Sequence, residues 1–313
     1  MKNFIRERTA RIRDIFPNLK NKKGLYGELV LPRHIFSNLR SACKLVLYDC
    51  LTSFYTHDAF DMDLPIEKFC RTYKAEILRL PNITPNGLVM PKLEILNSVN
   101  FLNKAIFHLI DFLQLKGKCD IACPVNLRVN FGVDRNAAFD ARPKSSTNWH
   151  TDIWAGQNAH ELMIHTPIFG DFSKSGIAVS PPPADFFPDF VRSLDGYKDG
   201  LPITKDMDAT AYKSVLIAGR SYVFDSFLFH KTISNSPDMR GIISFPIKLK
   251  RKIPSDIYRN PLRDGEYRSY GEWRKMGTET FLKSERKLAD THFRKTTDNM
   301  YADTFDVARL TSV

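Results

Sequence analysis

His150 and Asp152 stand two residues apart in Asn148-Trp149-His150-Thr151-Asp152-Ile153-Trp154, the one His-x-Asp or His-x-Glu in the sequence. On an extended backbone, residues two apart share a face, so the imidazole and the carboxylate are expected to point the same way. Joined by a second His from another strand, they would form the three-ligand corner that holds non-haem Fe(II) and leaves coordination positions open for substrate and oxygen. The third ligand is sought downstream, where Gly219 leads into an aromatic and β-branched run that ends in His230. Ten residues later comes Arg240, opening Arg240-Gly241-Ile242-Ile243-Ser244-Phe245-Pro246-Ile247.

In this order and spacing, His150, Asp152, His230 and Arg240 resemble the pattern of the Fe(II)- and 2-oxoglutarate-dependent dioxygenases, within them the phytanoyl-CoA-hydroxylase-like branch. The resemblance covers mainly residues 125–247. It implies that His150, Asp152 and His230 are the catalytic metal ligands, that 2-oxoglutarate takes two of the remaining sites, and that O2 takes the third. Arg240 would bind the far carboxylate of 2-oxoglutarate, because a guanidinium offers a planar pair of donors that a lysine lacks. Ser244 shares its strand face and would add a hydroxyl bond to the same carboxylate. Arg128 and Asn130, on the strand ahead of the pair, are candidates for polar contacts to 2-oxoglutarate or substrate, with structural hydrogen bonding as the alternative. The halogenating branch replaces the carboxylate ligand with a small residue, so Asp152 favours hydroxylation or a related oxidation such as desaturation or ring formation. Trp149, Trp154 and Gln157 are candidate pocket residues, with core packing as the alternative for the two tryptophans. His165 is read as a pocket or core histidine rather than a rival ligand, having no carboxylate two residues away.

The elements that must position these groups change character along the chain. Residues 3–16 read as a short amphipathic helix ended by Pro17. Ile35, Leu39, Cys43, Val46, Leu47, Cys50, Leu51 and Phe54 recur at steps of three and four, one face of a long helix. Residues 65–80 and 98–115 read as further helices, with Pro65 suited to a first helical position, so the first third is expected to be largely helical. From Val125 the pattern becomes two-residue alternation. Strands follow at 125–131, 162–168, 176–180, 214–217, 222–224 and 241–249, the second expected to run beside the ligand strand. A polar loop with Asp134, Arg135, Asn136, Asp140 and Arg142 is a candidate lid, and a helix is expected over 186–194. Residues 273–288 read as helical. Many short strands separated by turns and edged by helices indicate an α+β fold with a double-stranded β-helix core of the jelly-roll, cupin-like kind. The organisation expected is a mainly helical region over 1–118, a jelly-roll core over 119–250 and a helical extension over 251–313, packed as one globular unit.

Composition sets the outer bounds. The 313 residues, 43% of them hydrophobic, suffice for a substantial core. No apolar run reaches the roughly 20 residues of a membrane span, and the first residues lack the apolar core of a secretory signal, so a cytoplasmic location is expected and no membrane partner. The five cysteines show no zinc-type spacing and are expected reduced. Net charge is +11, gathered in Arg6, Arg8, Arg11, Arg13 and again from Lys248 through Arg251 and Lys252 toward the end, and is read mainly as solvated helix faces. No nucleic-acid-recognition pattern accompanies it. Three functions stay open: an oxygenase acting on a small-molecule or carrier-bound, possibly anionic, substrate; a hydroxylase of a macromolecule docking on the basic surface; and a non-catalytic jelly-roll binding protein or zinc hydrolase with the same ligands. A homo-oligomer is compatible with all three.

Overall fold

The computed structural model describes residues 2–21, 24–56, 59–84, 87–132, 143–183, 194–260, 267–288 and 306–309. The helices of the first 112 residues are α1 (Lys2–Ile15), α2 (Arg33–Phe54), α3 (Ile66–Thr72), α4 (Lys74–Leu78) and α5 (Leu96–Phe112). The strands are β1 (Lys20–Asn21), β2 (Tyr26–Val30), β3 (Cys119–Ala122), β4 (Asn126–Asn130), β5 (Glu161–Phe169), β6 (Ser175–Ser180), β7 (Tyr212–Val215), β8 (Arg220–Asp225), β9 (Phe229–Ser234), β10 (Arg240–Leu249) and β11 (Tyr267–Arg268). The large antiparallel sheet runs β1-β2-β8-β5-β10-β3-β11, with β4 also pairing β10, and a small sheet runs β7-β6-β9.

The alternation along β10 explains the layering. Ile243, Phe245 and Ile247 point to one side, where Ile164, Val223 and Leu127 join Leu39, Val46 and Leu47 of α2 and Leu102 and Ile106 of α5 in one buried cluster. Each such fully buried side chain contributes about 2 kcal/mol before chain entropy is counted. Arg240, Ile242 and Ser244 face the other way, opposite Asn130, Arg128 and Asn126 of β4. On this side a second cluster takes Tyr26, Met163, Tyr222 and Phe224 from the large sheet and Ile177, Val179 and Phe229 from the small one. One face of the large sheet is thus sealed by helices, while the other, mixed polar and aromatic, shares a core with the small sheet.

Several elements differ from the expectation. Tyr26–Val30 is a strand between β1 and β8, so the first third is not helical throughout; five residues are too few to show a decisive period. The helix over 65–80 divides at Tyr73 (φ −105°, ψ 25°), whose ring packs edge-on against Phe60 and Phe69 and whose hydroxyl accepts from the Asp61 amide at 2.8 Å. Pro65 is the cap of α3 rather than its first residue. The helix beginning at Tyr270 stops at Lys275; Gly277 takes φ +73°, and Thr280–Lys283 is a strand paired with Asp306–Arg309. The strand at 162–168 lies between β10 and β8 rather than beside the ligand segment. The candidate lid residues 134–142 and the helix expected over 186–193 lie outside the described residues. All five cysteines are free, and burial pushes the Cys50 thiol up to about 12. Among the described residues, no helix is long and apolar enough to cross a membrane.

Candidate metal centre

His150 and His230 are brought together by the backbone. They face each other across an isolated antiparallel bridge, closed by His150 N–H donating to the His230 carbonyl at 3.1 Å and His230 N–H donating to the His150 carbonyl at 2.9 Å. On its other side His230 pairs with Val179 of β6. The strand expected over 222–224 runs from Arg220 to Asp225; the chain then leaves the large sheet, turns through residues 226–228 and enters the small sheet at Phe229, which brings His230. The turn is fixed by Asp225, whose side chain accepts the Phe227 amide at 3.0 Å and whose carbonyl accepts the Leu228 amide at 2.9 Å.

Asp152 arrives by a different route from the one expected. The chain is extended only as far as His150, then enters a turn over residues 152–156, where Ala155 N–H and Gln157 N–H both donate to the Asp152 carbonyl at 3.0 Å. The carboxylate comes back beside the imidazoles because the backbone reverses, not because strand residues two apart share a face. Asp152 Oδ1 lies 3.8 Å from His230 Nε2, and one ligand atom from each of His150, Asp152 and His230 lies within 4.8 Å of the other two. All three are buried.

The ring nitrogens are sorted for coordination. His150 Nδ1 lies 2.8 Å from the Asn148 carbonyl, and His230 Nδ1 lies 3.0 Å from the Leu228 carbonyl. A carbonyl only accepts, so each Nδ1 carries the proton and each Nε2 lone pair is left for a metal. Burial, reinforced by the neighbouring His230, holds the His150 pKa well below the ordinary imidazole value, which keeps that ring neutral. Tyr197 stacks on His150 at 4.3 Å and 8°. Two imidazoles, each oriented by a carbonyl at Nδ1, and one carboxylate fit a first-row divalent metal with open coordination positions.

A buried cation is anchored to the strand that carries His230. Arg240 is 2% exposed, on the sheet face that shares a core with the small sheet, and its Nη1 donates at 3.0 Å to the carbonyl of Ile233, three residues beyond His230. Opposite it on β4, Asn130 Oδ1 accepts from the Gly132 amide at 3.1 Å and the Ser234 hydroxyl at 3.4 Å, a tie between the two sheets. Ser244 is four residues along from Arg240, roughly 13 Å in Cα spacing, and its hydroxyl meets His165 Nε2 at 3.3 Å. Arg128 Nε is buried with no hydrogen-bond partner, and its charge helps lower the pKa of His150 and of His165, the latter to about 3 with burial as the main cause.

The remaining candidates divide. His165 is outside the ligand cluster but packs edge-on to Phe224 at 4.9 Å, in the same inter-sheet space. Trp154 is fully buried against Phe229, a core residue. Trp149 donates Nε1–H to Asp208 at 3.3 Å under the Lys231 ammonium. Gln157 is buried at the end of the Asp152 turn. His160 lies in a turn and is 2% exposed, and burial drives its pKa down to about 4. Tyr197 touches the centre without any motif to announce it, since neither residue type nor spacing marks a ring that stacks on a ligand.

No protein-family profile matches the sequence, and no curated protein matches it. Among solved structures, the chain is similar to the non-heme alpha ketoglutarate dependent carbocyclase SnoK from nogalamycin biosynthesis, with TM-score 0.44 and 12% identity over 77% of this chain and 83% of that one. It is similar to EctD from S. alaskensis with bound Fe, with TM-score 0.39 and 12% identity over 80% and 81%. It is also similar to an N-substituted L-amino acid dioxygenase from Burkholderia ambifaria, with TM-score 0.36 and 10% identity over 76% and 86%. Likenesses of this size locate no residue and no reaction.

Proposed function

We propose that the protein is an Fe(II)- and 2-oxoglutarate-dependent oxygenase on a double-stranded β-helix, hydroxylating an unactivated C–H bond of a small-molecule or carrier-bound biosynthetic intermediate in the cytoplasm. The observation that carries this reading is the convergence of His150, Asp152 and His230, one ligand atom from each lying within 4.8 Å of the other two, together with a buried Arg240 guanidinium anchored three residues beyond His230. Bound Fe(II) would supply the coupling of O2 reduction to oxidation of 2-oxoglutarate, with succinate and CO2 as co-products.

The chain's own residues carry the rest. His150 and His230 are presented by the bridge and held in one tautomer by the Asn148 and Leu228 carbonyls. Arg240 suits the far carboxylate of 2-oxoglutarate, because a buried guanidinium already anchored to Ile233 loses little freedom on pairing. Arg128, whose charge reaches His150 and His165, suits a second anionic group of co-substrate or substrate. Tyr197 and Phe224 exclude water around the imidazoles. The test is to load the protein with Fe(II), supply 2-oxoglutarate and O2, and measure succinate. Succinate formation whose KM for 2-oxoglutarate rises in Arg240→Ala supports the reading; no metal binding, or succinate indifferent to Arg240, removes it.

A second reading, oxidation of a macromolecule docking on the basic surface, is favoured by a groove of about 590 Å³ lined by Lys118, Lys250, Arg251 and Lys252 beside Glu7 and Asp14. Its mark would be a binding constant for a polyanion that falls steeply with salt.

A further inference from the structure

The basic residues of α1 were expected on a solvated face, yet Arg8 and Arg11 are buried with Asp225 and Asp256 in a closed quartet whose four side chains are 0%, 5%, 0% and 1% exposed. Arg8 Nε meets Asp225 Oδ1 at 2.8 Å and its Nη1 meets Asp256 Oδ1 at 3.1 Å. Arg11 reaches Asp256 Oδ2 at 2.6 Å and Asp225 Oδ2 at 3.5 Å. Burying four charges costs several kcal/mol per ion unless the pairing is close to complete, and here each carboxylate is met by both guanidinia.

What the quartet grips is the backbone on either side of the metal centre. Asp225 is the residue that fixes the turn into His230, five positions on. The Arg8 guanidinium lies 4.3 Å from the centroid of the Phe227 ring, which Phe4 meets edge-on at 5.0 Å. Both Arg8 Nη2 and Arg11 Nη2 donate to the carbonyl of Ala159, seven residues beyond Asp152 at the exit of its turn. The two gripped segments are tied to each other by the Ile153 amide donating to the Ser226 carbonyl at 3.3 Å. The helix therefore holds the approach to one ligand and the exit from another in a single ionic knot, although it contributes no ligand itself.

We propose that Arg8 and Arg11 are positioning residues for the metal centre, with α1 acting as a clamp that fixes the 225–229 turn and the 152–159 turn relative to each other. The inference rests on the reading of His150, Asp152 and His230 as metal ligands. It goes beyond that reading by making site geometry depend on the first helix of the chain. A purely structural ion cluster would lower overall stability and leave the ligands' mutual placement intact.

The experiment uses the full-length chain with Arg8→Met, Arg8→Lys and Asp256→Asn. Co(II) affinity is read by visible absorption, and amide hydrogen exchange by mass spectrometry over residues 153–160 and 226–232. Arg8→Met is expected to weaken Co(II) binding about ten- to a hundredfold and to speed exchange in those two segments, with β5 and β10 as protected as before. Arg8→Lys is expected to recover part of both, since an ammonium replaces the charge but not the fork. Co(II) affinity within twofold of the parent's, or exchange that accelerates evenly across the sheets, overturns the proposal. Should Arg8→Met fail to fold, Asp256→Asn decides by the same two readouts, its amide keeping the volume while the outer charge is lost. A parent protein that binds no Co(II) removes the metal reading, and local against uniform exchange still decides the clamp.

Discussion

His150 and His230 exchange both backbone hydrogen bonds across one bridge, at 3.1 and 2.9 Å, and each returns its Nδ1–H to the carbonyl two residues before it. The two ligands are thus placed by main chain, and neither side chain is needed to form the bridge. His150→Ala and His230→Ala are expected to keep the fold, with the metal-free melting temperature moving by only a few degrees, while Co(II) or Fe(II) affinity falls on the order of a hundredfold or more. Calorimetric titration of the metal checks this. Retention of parental affinity by either variant would mean that the ion, if bound, sits elsewhere.

Arg240 combines burial with an anchor on Ile233, so its loss removes a charge-assisted contact worth roughly 1.5–3 kcal/mol to a bound carboxylate. Arg240→Ala should raise the KM for 2-oxoglutarate about ten- to a hundredfold. Arg240→Lys should recover little, because one ammonium cannot serve the Ile233 carbonyl and a carboxylate with the geometry of a fork. Succinate release against 2-oxoglutarate concentration measures both, and equal KM values in parent and alanine variant would contradict the assignment.

How much of this centre was legible in the sequence follows from what each residue's neighbours disclose. His150, Asp152, His230 and Arg240 announced themselves by type and interval, and the long helix through Cys43 and Cys50 by its period. The shape of the Asp152 turn did not, because Thr151-Asp152-Ile153-Trp154 reads as extended and the one turn-forming residue, Gly156 at φ +95°, comes only at its far end. The end of β8 was legible, since Asp225 and Ser226 interrupt the apolar residues on either side, but the change of sheet was not, because nothing in Phe227-Leu228-Phe229 says which strand it will pair with. Arg8 and Arg11 looked like surface charge because their partners, Asp225 and Asp256, lie more than two hundred residues away.

Protonation supplies a third prediction. Burial, with His230 and Arg128 adding to it, lowers the His165 pKa to about 3, and burial lowers that of His160 to about 4, against about 6.5 in the unfolded chain. The unfolded state therefore takes up these protons first, and the stability of the metal-free protein is fully present above pH 6.5 and lost as pH falls toward the native values. For His165 alone the loss is on the order of 1 kcal/mol at pH 5.5. Urea midpoints at pH 7.5, 6.5 and 5.5 should decline in that order, and His165→Gln should shallow the decline. A flat series would show that these rings are not held neutral.

Trp154 closes the Asp152 turn through its amide, which donates to the Thr151 carbonyl at 3.1 Å, and its ring fills the space beside Gly200. A Cβ at Gly200 would lie 2.2 Å from Trp154 Cη2, closer than any tolerated contact, so Gly200→Ala must displace the indole. Overpacking of this kind costs about 1–3 kcal/mol. Because the displaced ring belongs to the turn that carries a ligand, metal affinity should fall along with the urea midpoint. Gly271→Ala serves as the comparison: it sits in the short helix Tyr270–Lys275, a Cβ there meets nothing nearer than 4.0 Å, and it should hold or slightly raise stability with Co(II) binding unchanged. If Gly200→Ala lowered stability and left Co(II) affinity at the parental value, Trp154 would be packing that the metal centre does not feel.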